Sequence, residues 1–234
     1  MKKLTSIILI LFLSLLSSPS WSENLTIDDL VERDGLYYKK FTNVPFTGEV
    51  SGVWNGKFKN GKKDGEWLSY YENGQLKEKG NYKDDKEDGL WETFHKNGQL
   101  RWKGNLKDGN LDGIVESYHE NGQLFFIENY KDGKLDGLWE KYHENGQLMF
   151  KKNYKDGKLE DGISKTFHRN GQLRWKANIK DGKADGFWEW YYKNGQLYTK
   201  GNFKDGKQEG LWEYFNKDGS LNRTETWKNG VKQE

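Results

Sequence analysis

Hydrophobic and polar residues alternate along most of the chain, in short runs that end at glycine-containing turns. The clearest run, residues 89–109, is divided by Asn97-Gly98 and closed by Asp108-Gly109. Alternation with a period of two is typical of half-buried β-strands. Asn-Gly and Asp-Gly favour the tight type I′ turn, in which both central residues have positive φ. The pattern therefore predicts a β-hairpin that a second turn joins to the next hairpin.

The motif Asn-Gly-Gln-Leu returns at a nearly constant spacing, which shows that the hairpin is repeated. It begins at Asn73, Asn97, Asn121, Asn145, Asn170 and Asn194, with a degenerate copy at Asp218, and successive starts lie 24, 24, 24, 25, 24 and 24 residues apart. A constant period of this size indicates a repeat protein in which each unit packs mainly against its neighbours. We predict an all-β fold, an elongated single-sheet array of stacked antiparallel β-hairpins of about 24 residues each.

Counting outward from a two-residue turn at Asn97-Gly98 predicts which side chains share a face of the sheet. An aromatic ring opposite a glycine avoids a steric clash, and opposite charges across two strands attract. In this register the Leu of the motif points to the Trp-bearing face, and the Gln lies beside the turn in solvent. The predicted pairs are Trp91–Gly104, Thr93–Trp102 and His95–Leu100 on one face, and Phe94–Arg101 and Glu92–Lys103 on the other. Copies of the register are Trp67–Gly80, Val115–Glu128, Trp139–Lys152, Ser164–Ala177 and Trp188–Gly201.

The repeat pattern also suggests how the chain is divided. Residues 48–234 are the array, in which residues 48–60 read as a shortened first repeat. Residues 23–47 form a leading segment with a hairpin whose turn is Asp34-Gly35. The single spacing of 25 residues comes from one extra residue in 158–162, where we expect a bulge or a wider turn. The unit after it has no Trp at the usual position, which makes it the weakest point of the array.

Residues 1–22 have the pattern of a secretory signal peptide. Lys2 and Lys3 precede an apolar run from Ile7 to Leu16, and small residues follow up to Ser22. The run is short for a membrane span, and an uncleaved amino-terminal anchor is the alternative. We therefore expect an exported protein, periplasmic or secreted. Removing the two leader lysines leaves 36 of the 38 basic residues against 36 acidic ones, a balance that gives no general attraction to nucleic acid.

Composition changes this picture in two ways. A mean hydropathy of −1.07 with 32% charged residues would suit a disordered chain, but 15% aromatic residues favours a thin β-structure with flat rings as its apolar surface. The chain has no cysteine, so disulfides and thiolate metal sites are excluded.

The recurring elements, an aromatic pair, Asn-Gly-Gln-Leu, Asn-Tyr-Lys-Asp-Gly-Lys and Asp-Gly-Leu-Trp, resemble the MORN (membrane occupation and recognition nexus) repeat. They are closest to the bacterial MORN-variant repeat of proteins that are described as antitoxins of toxin–antitoxin systems. The likeness is carried by residues 142–188 and their copies and extends from about Gly48 to Glu234. It implies a hairpin array that serves as a scaffold. It also implies a toxin as one kind of partner, although a secretory signal fits poorly with neutralising a cytoplasmic toxin.

Three sets of repeated side chains are candidates for function. Four histidines share one repeat position, but equivalent positions two strands apart are separated by about 10 Å. They are therefore too distant to share a zinc ion, and we predict flat stacking side chains and no metal site. Rows of Lys and Glu run side by side, which favours a self-neutralised face. Aromatic residues occupy one position in every full unit and either brace the hairpins or form a partner-binding stripe. The candidate stripe is Phe94, Tyr118, Tyr142, Phe167, Tyr191 and Phe215, and Tyr70 is its first copy.

No catalytic or cofactor motif is present in the sequence. A regular array of Glu offers no single carboxylate pair with separated pKa values, and the chain lacks a phosphate-binding loop and a nucleophile elbow. We expect a non-enzymatic repeat protein that binds a protein partner or acts as a scaffold, with no cofactor and no nucleic acid. Two alternatives stay open at this point: an antitoxin or immunity-like protein that binds a toxin, and an envelope module that binds glycan or membrane lipid.

Overall fold

The computed structural model of the chain describes residues 24–234. The predicted signal peptide lies outside the described residues. Within them the regular structure is β-strand, apart from one turn of 3-10 helix at Ile27–Asp29, which confirms the predicted all-β class. The strands are β1 (Leu30–Arg33), β2 (Leu36–Lys39), β3 (Gly48–Val50), β4 (Trp54–Lys59), β5 (Lys62–Lys63), β6 (Gly65–Tyr70), β7 (Leu76–Lys83), β8 (Lys86–Glu87), β9 (Gly89–Phe94), β10 (Leu100–Lys107), β11 (Asn110–Leu111), β12 (Gly113–Tyr118), β13 (Leu124–Lys131), β14 (Lys134–Tyr142), β15 (Leu148–Lys155), β16 (Lys158–Leu159), β17 (Gly162–Phe167), β18 (Leu173–Lys180), β19 (Lys183–Tyr191), β20 (Leu197–Lys204), β21 (Lys207–Phe215), β22 (Leu221–Lys228) and β23 (Val231–Lys232).

Strands β3 to β23 form one antiparallel sheet in which each strand pairs with its neighbours in the sequence. The sheet is open, since β3 pairs with β4, β23 pairs with β22, and no pairing joins these two ends of the described array. This is the predicted array of hairpins. The part of the chain that the structure describes contains no helix with the length and apolarity needed to cross a bilayer.

The Asp-Gly turns adopt the predicted geometry. Asp108 and Gly109 both have positive φ, 51° and 83°, and the flanking residues Lys107 and Asn110 pair directly. These are the marks of a two-residue type I′ turn, whose twist matches that of the strands it joins. The prediction for this class of turn is confirmed.

The Asn-Gly turns differ from the prediction. Only Gly98 has positive φ (82°), and His95 bonds Gly98 and Gln99 through its backbone, each at 2.8 Å. The loop therefore has three residues, a geometry that brings a bulge into the following strand. Asn97 explains the choice, because its side-chain oxygen accepts a hydrogen bond from the Gln99 N–H at 3.0 Å and its NH₂ donates to Glu120 O in the next hairpin at 2.9 Å.

The three-residue loop shifts the register beside the turn and leaves it unchanged further away. Thr93–Trp102, Glu92–Lys103 and Trp91–Gly104 pair as predicted, but Phe94 pairs with Leu100, and Arg101 is the extra residue of the bulge. Cross-strand partners project to the same face, so Leu100 shares the face of Phe94. The prediction that this Leu points to the Trp-bearing face was wrong. The copied pairs are confirmed at Trp67–Gly80, Val115–Glu128, Trp139–Lys152, Ser164–Ala177 and Trp188–Gly201.

The indole that covers Gly56, Gly80 or Gly201 comes from the following hairpin. A Cβ on Gly80 would lie 2.2 Å from the Trp91 ring, and Trp91 Nε1 donates to Asn81 O at 3.2 Å. Trp67 is the register partner of Gly80, but its ring lies over Gly56. Register counting considers one neighbouring strand, whereas each strand in a sheet has two. The Trp residues therefore join hairpins to each other, and Trp67 and Trp91 are buried.

The leading segment covers the first end of the array. Its β1–β2 hairpin turns at Asp34-Gly35 as predicted, with φ of 52° and 72°. Leu30 of this hairpin is buried in one cluster with Val50, Phe58 and Trp67. The shortened first repeat forms the β3–β4 hairpin, so this end has an apolar core of its own.

The histidine position carries a second bond between hairpins. His119 Nε2 lies 3.3 Å from Tyr142 O in the next hairpin, and Tyr71 O–H donates at 2.7 Å to the equivalent oxygen, Phe94 O. His95, His143 and His168 make the same contact at 3.0 to 3.1 Å. The prediction that Tyr and His are interchangeable here therefore has a physical reason, because both are flat side chains with a polar hydrogen at the tip.

We predict that His119→Phe lowers the free energy of unfolding by about 1 kcal/mol, because it leaves the Tyr142 carbonyl without its partner. His119→Tyr, which installs the residue that the array uses at Tyr71, should cost clearly less. Urea unfolding of both variants checks this. Equal losses in the two variants would show that the bond to the carbonyl does not stabilise the array.

Candidate functional site

The six residues of the predicted stripe lie half-buried in a continuous row. Each is the cross-strand partner of the Leu in its own Asn-Gly-Gln-Leu motif, as Tyr118 is of Leu124. The phenol groups are also engaged: Tyr142 O–H donates to Glu140 at 2.8 Å, and Tyr191 O–H to Glu189 at 2.7 Å. The stripe is therefore braced from within the sheet while part of each ring stays open. The row is Phe94–Leu100, Tyr118–Leu124, Tyr142–Leu148, Phe167–Leu173, Tyr191–Leu197 and Phe215–Leu221.

The Lys and Glu rows on this face pair between hairpins. Glu92 and Lys103 are register partners as predicted, but the Glu92 carboxylate contacts Lys79 of the preceding hairpin at 2.7 Å. The same ion pair between neighbouring hairpins forms in Lys103–Glu116 at 2.7 Å, Lys176–Glu189 at 2.5 Å and Lys200–Glu213 at 2.8 Å. Exposed pairs of this kind contribute little energy singly, but together they neutralise the face.

The charge pairing changes at the hairpin β17–β18, which we call the irregular unit. Lys165 occupies the position that Glu holds in neighbouring units, and it pairs in register with Lys151 on one side and Lys176 on the other. Lys151 turns back to Glu140 of its own hairpin at 3.0 Å. Among the described residues Lys165 makes no ion pair. Lys151 and Lys176 therefore each have a carboxylate partner, and the ammonium of Lys165 between them has none.

The irregular unit also has a groove. Ser164 stands at the Trp position, so no indole closes the gap between β15 and β17 as Trp91 does between β7 and β9. The extra residue leaves two residues, Glu160 and Asp161, between β16 and β17, where Asp88 alone separates β8 from β9. The unit has a groove of about 410 Å³, whose lining includes Leu148, Lys151, Ile163, Ser164, Lys165 and Phe167. The connection is therefore wider at the place where a bulge or a wider turn is predicted.

Charged and polar residues also line the groove. Ser164 projects to the Trp-bearing face, opposite to Lys165, and its buried hydroxyl has no hydrogen-bond partner, as is also true of Ser69 and Thr166. Burial lowers the pKa of the Lys152 ammonium, which also lies 5.0 Å from the Phe150 ring centre. At the rim, Asp161 accepts a hydrogen bond from the backbone of the next turn at 2.8 Å. The groove therefore combines apolar walls with an unpaired cation.

Two acidic residues of the array have opposite pKa shifts. Hydrogen bonds from Lys103 and Tyr118 lower the pKa of the Glu116 carboxyl. Burial raises the pKa of the Glu128 carboxyl, which faces Trp139, and the bond from Tyr130 O–H at 3.0 Å compensates only in part. The difference follows from position, since Glu128 occupies the place that glycine holds at Gly80.

Sequence reasoning found the row of aromatics and the weak unit, and it missed the unpaired lysine. The signal was present, because Lys165 breaks a row of Glu residues at a fixed repeat position. It could be recognised only with the knowledge that Lys and Glu pair between hairpins. Residues 24–234 contain no group of three or more His, Asp or Glu placed to hold a metal ion.

Comparison with known proteins identifies the repeat. A family described as "MORN repeat variant" matches seven stretches, residues 63–84, 87–108, 111–132, 135–156, 160–181, 184–205 and 208–229. These stretches make up more than half of the chain and include the irregular unit. A search among curated proteins finds no match.

We predict that the double change Tyr118→Ala and Tyr142→Ala lowers the melting temperature, because it removes two half-buried rings, each worth about 1 to 2 kcal/mol. The matched double change to Phe, the residue of three other units, should keep most of the stability. Thermal unfolding followed by circular dichroism checks this. An unchanged melting temperature in the Ala variant would assign the stripe to binding alone.

We predict opposite effects of Glu116→Gln and Glu128→Gln at pH 7. Because its folded-state pKa is lowered, Glu116 contributes stability above the ordinary Glu pKa near 4.3 that is lost as the pH falls through the folded-state value. The raised pKa of Glu128 means that its ionisation above that pKa destabilises the fold. Glu116→Gln should therefore destabilise, and Glu128→Gln should stabilise, by about 1 kcal/mol or less. Urea unfolding at pH 7 and pH 3 measures both. Effects of the same sign at pH 7 would contradict the assignment.

Proposed function

Because the chain belongs to the MORN repeat variant family, we propose that it is a non-enzymatic scaffold that binds a protein partner on the face of the aromatic–Leu row. In this proposal the protein is exported, as its leader pattern indicates, and acts in the periplasm or outside the cell. The proposed protein partners include toxins.

The observation that carries the proposal is the groove at the irregular unit, where the face departs from its repeat pattern. A repeat array offers the same side chains again and again, and such a surface alone gives a partner no fixed position. Lys165 and Ser164 depart from the repeat pattern at the same place. A face with rigid, half-exposed rings and one distinctive position suits recognition of a partner in one register, since aromatic side chains give contact area at low entropic cost.

The arrangement of acids and bases supports a binding role over catalysis. Catalytic acid–base pairs need groups whose environments separate their pKa values within one site. In this array Glu116 and Glu189 each pair with the equivalent Lys of the preceding hairpin, at 2.7 and 2.5 Å. Glu128, whose pKa is raised, has a Tyr neighbour and lies away from the groove lining.

We predict that the full-length protein, tagged at its carboxyl terminus, retains a specific protein from the envelope fraction of its native cells. Binding of the purified partner should saturate at one site per chain in calorimetry. A protein that is retained equally by an unrelated β-repeat protein does not count as specific. Reproducible binding to purified cell-wall glycan or to phospholipid vesicles, with no specific protein retained, would overturn the proposal in favour of an envelope-binding module.

A further inference from the structure

We propose that the groove of the irregular unit binds a short acidic peptide segment, with a carboxylate on Lys165 and an apolar side chain against Leu148, Ile163 and Phe167. The proposal rests on the proposed protein-binding function and states which chemistry the partner presents. It comes from two independent features of the groove, its charge and its apolar wall.

The charge of the groove favours a carboxylate. Lys151, Lys165 and Lys176 are register partners on three adjacent strands, and the two outer lysines already bind Glu140 and Glu189. The ammonium of Lys165 is left exposed between two like charges. A carboxylate from a partner would complete the row in the way that Glu completes it in the other units.

The apolar wall gives the peptide a second contact. Ile163 is 59% exposed beside Lys165, and Leu148 and Phe167 line the same groove. A volume of about 410 Å³ lies within the usual range of ligand sites and has room for a large side chain. An aliphatic or aromatic residue next to the acidic one would therefore remove exposed apolar surface from water.

The rim of the groove argues for a short segment and against an extended polyanion. Glu160 and Asp161 also line the groove. A nucleic acid or an anionic lipid surface would bring phosphates close to both carboxylates. A peptide with one or two acids can meet Lys165 and leave the rim free.

The repeat itself supplies a variant that alters the groove without unfolding the chain. Lys165→Glu installs the residue of the regular units and places a carboxylate beside Lys151. It should hold or raise the melting temperature, and it should remove the site. Lys107→Glu makes the same charge change at an exposed turn residue outside the groove lining.

The test measures fluorescence polarisation of a labelled pentapeptide, Gly-Glu-Phe-Glu-Gly, with full-length protein. We expect saturable binding that weakens about tenfold or more in Lys165→Glu. Binding should weaken less than about threefold in Lys107→Glu, and it should fall with added salt. A peptide with Gln in place of each Glu should bind at least about tenfold more weakly.

Two results would overturn the proposal. One is peptide binding that Lys165→Glu and Lys107→Glu weaken equally, and the other is no binding of the peptide together with binding of anionic phosphatidylglycerol vesicles. If the native partner is retained by wild type and by Lys165→Glu alike, the groove proposal fails while the protein-binding function stands. If no protein partner exists, the proposed function fails on its own test.

Discussion

The array depends on bonds that each hairpin makes to the next. A two-stranded hairpin is marginally stable alone, and a single sheet has no second layer to bury its side chains. In this protein an indole lies flat on the glycine of the preceding hairpin and donates a hydrogen bond to that hairpin's backbone. Trp212, for example, covers Gly201 and donates to Asn202 O at 3.2 Å. The ring is large and the glycine leaves room for it, so a single sheet acquires a buried core.

The same logic governs the turn motif. Asn97 reaches Glu120 O of the next turn, and the Gln99 side-chain oxygen lies where a Cβ on Gly122 would meet it at 2.9 Å. Asn-Gly-Gln-Leu recurs faithfully because three of its members contact the neighbouring unit or fix the loop, while its Leu pairs with the aromatic stripe. In the last copy Ser220 donates hydrogen bonds to Asp218, so these hydrogen bonds lie within the turn instead of joining two units.

The sequence could predict most of what depends on one hairpin at a time. Alternation, period and the Asp-Gly turns led directly to the strands, the array and the distant part of the register. Predictions failed at the Asn-Gly loop and where a side chain acts between hairpins. Trp67 covers Gly56 instead of its register partner Gly80, and Glu92 binds Lys79 instead of Lys103. These two errors have one cause, because counting outward from a turn cannot see the strand on the other side. The three-residue loop is a separate error, and it recurs at Asp218, whose side chain accepts from the Ser220 N–H as Asn97 accepts from Gln99.

The irregular unit lacks several of the contacts that stabilise the regular units. Its position has Ser164 where an indole would be buried, Lys165 where a carboxylate would neutralise two lysines, and one extra residue in the connection. Each departure removes stability that a neighbouring unit has, and stability of this kind is readily regained by substitution. An indole is also missing at Val115, so that loss alone does not mark a site. The unpaired cation and the exposed side chain of Ile163 line one groove, which fits a site where a neutralising carboxylate has been given up for recognition.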